Sequence, residues 1–515
     1  MQVHPTRAAI HLAIAGSAAT AAGIALQDGA VVGWGGALLI GLAIARAVTE
    51  VSVARIRAAG FEMLWRSSER VRRVARGDAI EVEAELRNRD GRAARYVSLR
   101  PVAAPELEVK LEPEHGEVPA GGRLRVSVKI SGKRVGRHAV HGLSLEVQGG
   151  PGLFEVPLTF ANPYGIEVLP RAFSKLARSS RGGRSRREAE AGRPSPFSGE
   201  SGELRELRQH QAGDPFRRIA WKASARRGEL LVREYERAER EVVMLLVDAA
   251  VELYAGQPGE TALDRAIDEA AAVALRHLAR GDRVGLALVD RRVLSWIPAD
   301  AGPSHGLRLL EALAFAPSPV HADRSGLDES DVALRVLEHM RPFDPAVAGD
   351  VGFHELERIA RRAEKLRLRA PFPAADAFAA TRRERVLRRY LEGFGLGSPI
   401  RVGPHRAEAD EMLIQTLSRL RRERPRPTLI LLWSPAPEPG ARRALVDAVR
   451  GFRGRRTELL WASMPLQAGL PDAEGHARLV HDALARRAEL ATREGERALR
   501  RLGVRIDPAE PRKGR

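Results

Sequence analysis

The chain has 515 residues, a formal net charge of +18 and no cysteine. This length exceeds what one hydrophobic core usually organises, so we expect two or three soluble domains beside any membrane segment. The lack of cysteine excludes disulfide frameworks, thiolate metal sites and cysteine nucleophiles. The positive charge indicates attraction to an acidic protein, anionic lipid or nucleic acid, and its sign does not choose among them.

The first 60 residues predict a helical hairpin in a membrane. Residues 8–26 and 30–45 are runs of 19 and 16 residues without Asp, Glu, Lys or Arg, and the turn between them carries Asp28. The first run matches a hydrocarbon core of about 30 Å, and the second must extend beyond Arg46. Positive charge lies outside the hairpin, with Arg7 before it and Arg46 after it. The positive-inside rule therefore predicts that both ends face the cytoplasm. A cleaved signal peptide is the alternative.

The next two segments differ in pattern. Residues 61–170 contain short runs of alternating apolar and polar residues separated by turn residues, which predicts a small β-sandwich. Residues 171–201 lack apolar periodicity, and Arg178 and Arg193 bound a stretch of 16 residues with six arginines. We expect an Arg-rich linker that is either solvated or in contact with an anionic membrane surface. Nucleic-acid binding is disfavoured because no aromatic residues alternate with these arginines.

The C-terminal half predicts an α/β domain. Residues 237–324 and 427–510 alternate between apolar strands and amphipathic helices, which is typical of a mostly parallel sheet covered by helices on both faces. Residues 325–426 have helical spacing throughout and predict a helical insertion into this Rossmann-type domain. The predicted strands are 242–247, 283–289, 293–297, 428–433, 459–464 and 504–506. The predicted helices of the sheet domain are 261–279, 306–314, 442–449 and 473–502.

Residues 202–236 form a distinctive segment before the first of these strands. Asp214 followed by Pro215 predicts the start of a short helix, and Gly228 suits its end. The helical spacing predicts an apolar face formed by Phe216, Ile219, Ala220 and Ala223. The opposite side carries a basic stripe of Arg218, Lys222 and Arg226. These charges either pair with nearby glutamates or form a docking face for an acidic partner.

The same segment resembles the hallmark of the bacterial family called domain of unknown function 58. The matching residues are Gly213, Asp214, Arg217, Arg218, Ile219, Trp221, Lys222, Ala225, Arg226, Gly228, Leu230 and Val232. The resemblance implies a two-helix anchor in the inner (cytoplasmic) membrane, a β-sandwich and a von Willebrand factor A-like α/β domain. It also implies that a MoxR-type AAA+ ATPase is the partner, in assembly or maturation of client proteins. We expect the docking residues to be Asp214, Arg217, Arg218, Trp221, Lys222 and Arg226.

Domains of the von Willebrand A type often hold magnesium with an Asp-x-Ser-x-Ser loop and a later aspartate. In this chain the first loop keeps Asp248, but Ala250 and Glu252 stand at the two serine positions, and Ser434 stands where the later aspartate belongs. One usual ligand is too few for a dedicated site. We therefore expect neither magnesium nor another cofactor, and Asp248 and Glu252 are the only candidate ligands.

Common catalytic motifs are absent from the sequence. It contains no phosphate-binding GxxxxGK[ST], no HExxH and no GxSxG. The leading hypothesis is accordingly a membrane-tethered adaptor without catalytic residues. A metal-assisted hydrolase that uses Asp248 and Glu252 is the alternative, and a nucleic-acid-binding membrane protein is a weaker one.

Overall fold

The structure, a computed structural model, describes residues 3–173, 193–211, 214, 216, 219–254, 256–315, 318–341, 353–374, 377–401, 406–452, 457–464 and 475–507. Its strands are β1 His4–Pro5, β2 Phe61–Trp65, β3 Val71–Ala75, β4 Ala79–Asn88, β5 Ala94–Ala103, β6 Leu107–Glu112, β7 Gly116–Val118, β8 Arg123–Gly132, β9 Gly136–Gln148, β10 Phe154–Leu169, β11 Arg193–Gln209, β12 Leu231–Glu239, β13 Val242–Asp248, β14 Arg283–Val289, β15 Val293–Asp300, β16 Leu429–Ser434, β17 Glu458–Ser463 and β18 Arg505–Asp507. Its α-helices are α1 Arg7–Ala25, α2 Gly29–Ala59, α3 Trp221–Arg227, α4 Ala262–Ala279, α5 Pro303–Phe315, α6 Glu329–Met340, α7 Phe353–Leu366, α8 Arg382–Gly393, α9 Arg406–Leu420, α10 Arg443–Arg450 and α11 His476–Arg501. Two short 3-10 turns lie at Val251–Tyr254 and Arg367–Arg369.

The chain forms two compact units. One contains Met1–Val168 with Ser318–Arg401, and the other contains Leu169–Pro317 with Val402–Arg515. The helical segment of the first unit thus ends at residue 401, whereas the sequence predicted an insertion up to residue 426. Helix α9 belongs to the second unit because its side chains Leu413 and Leu417 are buried in the core of the sheet domain. Helical spacing shows that a helix has an apolar face but not which core that face joins.

The N-terminal helices α1 and α2 are both long and apolar enough to cross a membrane. Thr6 and Asp28 cap them, since the Thr6 Oγ1 accepts from the Ala9 N–H at 3.4 Å and the Asp28 Oδ1 accepts from the Ala30 N–H at 2.9 Å. The helices pack so closely that a Cβ on Gly35 would lie only 2.3 Å from Thr20 Oγ1. Small residues allow this approach.

Helix α2 continues beyond its apolar half into the sandwich. Val53 and Ile56, near its C-terminal end, are buried in the same core as the strands. One turn earlier, Thr49 is buried against Gly149, and a Cβ on this glycine would lie 2.3 Å from Thr49 Oγ1. At the other end of the hairpin, β1 pairs with β10. Both ends of the hairpin are therefore joined to the strands of the first unit.

The sandwich consists of two antiparallel sheets that share one apolar core. One sheet has the order β1-β10-β9-β5-β7, with β3 also on β10, and the other has the order β2-β4-β8-β6. Along β8 the side chains of Val126, Val128 and Ile130 are buried, whereas Arg125 before them and Lys129 between Val128 and Ile130 are exposed. This is the alternation expected of a strand with one buried face, and it agrees with the sequence pattern.

Helices α6, α7 and α8 form a small core of their own within the first unit. Arg388 on α8 is fully buried and closes this core at one side. Its guanidinium donates to Glu384 Oε1 at 2.7 Å and to the backbone oxygens of Val320 and Leu327 at 2.8 Å each. The buried charge is thus both paired and hydrogen-bonded, as such a charge requires.

The second unit contains a six-stranded sheet with the order β15-β14-β13-β16-β17-β18. Every pair is parallel except β14 with β15. The central strand β13 is buried after its first residue, as its continuous run of apolar residues predicts for a strand covered on both faces. Since β13 and β16 are adjacent and parallel, their carboxyl ends meet at one edge of the sheet.

A two-stranded antiparallel ribbon of β11 and β12 precedes the sheet in the chain. Residues 193–201, which the sequence assigned to the linker, are the first part of β11. A ribbon of two strands forms its backbone hydrogen bonds without apolar alternation in the sequence. The Ser, Gly and Pro residues of this stretch therefore give no periodic signal from which the strand could be predicted. The rest of the Arg-rich stretch, residues 174–192, lies outside the described residues.

Candidate functional site

The carboxyl edge of the sheet brings two oxygen-bearing residues together. Asp248 is the last residue of β13 and Ser434 the last residue of β16, and the preceding residues of the two strands, Val247 and Trp433, are register partners. The Ser434 hydroxyl donates to Asp248 Oδ2 at 2.7 Å. Asp248 is completely buried. A buried carboxylate at this edge requires a cation or several hydrogen-bond donors.

The cation is the guanidinium of Arg406, the first residue of α9. Its Nη2 donates to Asp248 Oδ2, its Nη1 donates to Glu252 Oε1 at 3.2 Å, and its Nε donates to Asp410 Oδ1 at 2.8 Å. Burial by itself would lower the pKa of Arg406, but the Coulombic attraction and hydrogen bond of Asp248, with Asp410 and Glu252, outweigh burial and raise it. Arg406 therefore keeps its charge inside a ring of three carboxylates.

A second arginine supports this ring from the other side. Arg442 donates from Nε and Nη2 to the two oxygens of Asp410, both at 2.6 Å, and from Nη1 to the Pro435 oxygen at 2.7 Å. Such a two-pronged contact between a guanidinium and a carboxylate fixes geometry as well as charge. Three carboxylates and two guanidiniums thus connect the ends of β13 and β16 with the start of α9.

The candidate magnesium ligands meet at this edge, but they do not fit the ion. Asp248 and Glu252 both accept from Arg406, and Ala250 offers no side-chain oxygen between them. A divalent ion beside a guanidinium would be repelled by it and would compete with it for the same carboxylate oxygens. Sequence reasoning missed Arg406 because it lies 158 residues after Asp248 in the chain. The nearest signal was the pair Arg406 and Asp410 at helical i, i+4 spacing.

The signature segment differs from its sequence prediction in where the helix begins. Helix α3 starts at Trp221, and its N-cap residue Ala220 makes no side-chain cap. Asp214, which the sequence predicted as the cap, instead accepts from Arg208 at 2.7 and 2.8 Å and from the Gln211 N–H at 2.8 Å. The hydrogen bond of Arg208, and then that of Gln211, lowers the pKa of Asp214 to about 2. This aspartate therefore stabilises the loop before the helix.

One face of α3 is attached to the ribbon. The Ser224 Oγ, which is buried, accepts from the Leu231 N–H at 2.9 Å, and the Ala220 N–H donates to the Leu231 oxygen at 2.8 Å. Ile219 is buried in a bridge to Val232. At the C-terminal end Gly228 has a φ of 72°, the left-handed conformation in which helices commonly end. The predicted helix exit at Gly228 is confirmed.

Trp221, Lys222 and Arg226 of α3 are exposed, and so are Phe216 before the helix and Leu230 after it. These five residues are called here the signature patch. Phe216 is 75% and Trp221 62% exposed, and Leu230 is 47% exposed. The predicted apolar face is therefore wrong at Phe216, because the helix that would bury it begins only five residues later. Arg217 and Arg218 lie outside the described residues.

The signature patch contains two basic residues, Lys222 and Arg226. Lys222 and Arg226 are both exposed, and within the described part of the chain neither side chain forms an ion pair with a carboxylate. Among the described side chains of this segment, Arg208 and Asp214 form an ion pair on the loop side. Lys222 and Arg226 are thus exposed positive charges on α3.

A separate cluster of potential metal ligands lies near the amino end of the same sheet. Glu241, His277 and Asp282 each offer a ligand atom, and these atoms lie within 4.8 Å of one another. The oxygens of Asp282 already accept from His277 Nδ1 at 2.8 Å and from the Glu241 N–H at 3.1 Å. These bonds join the end of α4 to the starts of β13 and β14. The cluster therefore serves the connection between helix and strands.

Residues 206–364 match the family model described as "Protein of unknown function DUF58". The chain is 30% identical over 173 residues to uncharacterised proteins of Mycobacterium tuberculosis (strain ATCC 25618 / H37Rv) and Mycobacterium bovis (strain ATCC BAA-935 / AF2122/97), which covers 33% of this chain and 54% of each relative. The chain thus spans about half the length of the curated relatives it matches.

Similarity to solved structures is low. PapD-like domain 7 of human CEP192 is 15% identical, with a TM-score of 0.17, over 21% of this chain and 85% of that one. A fragment of native alpha-2-macroglobulin from Escherichia coli is 10% identical, with a TM-score of 0.17, over 86% of this chain and 66% of that one. Neither score supports an argument about fold or function. The match of residues 206–364 to the model of this family agrees with the resemblance of the signature segment.

Proposed function

We propose that this protein is a membrane-tethered adaptor whose signature patch docks a MoxR-type AAA+ ATPase or the client of that ATPase. The observation that carries the proposal is the exposure of Trp221 beside Lys222 and Arg226 on one face of α3. Tryptophan and arginine are over-represented among the residues that dominate binding energy at interfaces. The positive charge on this face selects a partner with an acidic surface.

The attachment of α3 supports a binding role because it holds the patch in one position. Ser224 fixes the helix to β12, and Ile219 fixes the residues just before the helix to the same strand. Arg208 and Asp214 hold the loop that leads into it. A surface that is already ordered before binding loses less conformational entropy on association. A rigid, exposed, aromatic and basic face is therefore suited to docking.

The hairpin supplies the membrane attachment in this proposal. We place α1 and α2 in the inner membrane of a bacterium, with the rest of the first unit and the second unit in the cytoplasm. Arg7 and Arg46 lie outside the hairpin, and only Asp28 lies in its turn. Contact of the Arg-rich stretch between Arg178 and Arg193 with anionic headgroups belongs to the same proposal. The client would then be processed at the membrane surface.

The sheet edge argues against the alternative of a metal-assisted hydrolase. Such an enzyme needs a cation with an open coordination position for water. Arg406 places a guanidinium against Asp248 and Glu252, the two residues that the hydrolase hypothesis requires as ligands. The proposed adaptor role makes no use of this edge for catalysis.

The test is co-purification from native membranes in detergent with the full chain as bait. Lys222→Glu combined with Arg226→Glu should reduce capture of an AAA+ ATPase or client at least tenfold, since a change of about 1.4 kcal/mol suffices for that factor. The matched control is Arg276→Glu with Arg280→Glu, which reverses two exposed charges at the same i, i+4 spacing at the end of α4. The proposal fails if both double variants capture the same proteins as the original chain.

A further inference from the structure

We infer that the Arg406 guanidinium is a built-in cation, and that Asp248, Glu252 and Ser434 form a divalent-cation site when this side chain is removed. The inference is independent of the proposed docking role. It rests on the contrast between the magnesium that domains of the von Willebrand A type often hold and the arginine that the structure places among the candidate ligands.

The first argument is the chemistry of the atoms around the guanidinium. Nη2 contacts Asp248 Oδ2 and lies 3.5 Å from Ser434 Oγ, Nη1 lies 3.2 Å from Glu252 Oε1, and Nε lies 2.8 Å from Asp410 Oδ1. All these atoms are carboxylate or hydroxyl oxygens, the ligands that Mg²⁺ and Mn²⁺ prefer. They come from four parts of the chain and converge on one cation.

The second argument is charge. Asp248, Glu252 and Asp410 carry three negative charges, and Arg406 and Arg442 carry two positive ones. Without Arg406 the set has two uncompensated negative charges, since Arg442 still pairs with Asp410. A divalent ion would neutralise these charges. The deficit falls on Asp248, which is fully buried and therefore cannot be stabilised by bulk water.

The third argument is space. Ala249 and Ala250, directly after Asp248, are buried and small. Neither side chain is large enough to fill the space that the guanidinium would leave. Removal of the Arg406 side chain therefore leaves a polar opening lined by oxygens, which a hydrated ion can enter. In the natural chain the same opening is filled by a charge that no chelator can remove, because the charge is covalently part of α9.

The test uses the full chain in detergent and Mn²⁺ as the probe. Arg406→Ala should bind one Mn²⁺ with a dissociation constant of about 10⁻⁴ to 10⁻³ M, the range of weak oxygen-ligand sites. The natural chain and Arg406→Lys, which keeps a cation at this position, should bind at least about tenfold more weakly in calorimetry or in Mn²⁺ electron paramagnetic resonance. Asp248→Asn in the Arg406→Ala background should abolish the binding.

Each other outcome also decides the question. Equal Mn²⁺ binding by the natural chain and Arg406→Ala overturns the inference, and so does a folded Arg406→Ala chain without Mn²⁺ binding. If Arg406→Ala is unfolded in chelator, folding restored by millimolar Mn²⁺, followed by circular dichroism, supports the inference. A variant that stays unfolded with and without Mn²⁺ contradicts it, because the ion then fails to replace the guanidinium.

Discussion

The imidazole rings of His141 and His339 pack edge to face with their centroids 5.0 Å apart. His141 belongs to β9 of the sandwich and His339 to α6 of the helical segment, so the contact joins two parts of the first unit. His339 Nδ1 lies 3.0 Å from the Tyr390 hydroxyl. Burial, with the nearby charge of Arg335, lowers the pKa of His141 to about 4, and burial with His141 lowers that of His339 to about 3.

These two histidines predict acid sensitivity of the first unit. In the unfolded chain both bind protons below about pH 6.5, but in the folded chain they stay neutral to about pH 4. Stability is thus fully present above pH 6.5 and falls as pH drops, by about 1.4 kcal/mol per pH unit for each histidine. Urea unfolding of the full chain at pH 7 and pH 5 measures the difference.

His141→Gln with His339→Gln should reduce this pH dependence, and His115→Gln should leave it unchanged because His115 is exposed. The same slope in all three proteins would show that other groups cause it. This control separates the buried pair from the general effect of acid on a chain with 66 acidic residues.

Gly149→Ala should destabilise the junction between α2 and the sandwich by about 1–3 kcal/mol, the usual cost of overpacking. The new Cβ would meet Thr49 Oγ1 at 2.3 Å, and that hydroxyl is held by a 2.8 Å bond to the Ala45 oxygen. Gly150→Ala is the matched control, since no described atom lies within 4 Å of its Cβ position. Thermal unfolding in detergent should separate the two variants, and equal melting temperatures would contradict the close contact.

Arg388→Met should destabilise the helical segment by about 3–5 kcal/mol because it leaves Glu384 as an unpaired buried charge. Arg388→Lys should also destabilise it, since an ammonium cannot reach Glu384 Oε1 and the oxygens of Val320 and Leu327 with the fork of a guanidinium. Arg385→Met on the exposed side of the same helix is the control. Chemical denaturation measures all three, and a small change for Arg388→Met would refute the structural role.

The proposed orientation in the membrane predicts a labelling pattern that the absence of natural cysteine makes simple to measure. In cells whose outer layer is made permeable while the inner membrane stays intact, Asp28→Cys in the hairpin turn should react with a membrane-impermeant maleimide. Thr159→Cys, at an exposed position of the sandwich, should react only after lysis. The reverse pattern would place the two units on the outer side of the membrane.

The sequence was a good guide where one residue pattern determines one element. The apolar run predicted as strand 242–247 is the strand Val242–Asp248, and the helix predicted at 261–279 is Ala262–Ala279. Thr261 caps that helix through a reciprocal capping box with Asp264, a local signal that fixes its start. Such elements are specified within a few neighbouring residues.

The candidate sites depended on contacts that no local pattern contains. Phe216 has the helical spacing of a buried residue. Helix α3, however, begins only at Trp221, after the β-bridge of Ile219 to Val232. The sequence names Asp248 and Glu252 as candidate metal ligands, but the arginine that both contact comes from a helix far along the chain. The net charge of the chain predicts attraction to an anion. Which basic side chains are exposed is determined by the fold and cannot be read from the net charge.

The uninterrupted course of α2 from residue 29 to residue 59 also determines how movement is transmitted. Val53 and Ile56 are embedded in the sandwich core, and Thr49 is wedged against Gly149. The helix therefore acts as a rigid lever rather than a hinge between its apolar half and the strands. A change in the tilt of the apolar half must turn the sandwich through the same angle, or else bend the helix.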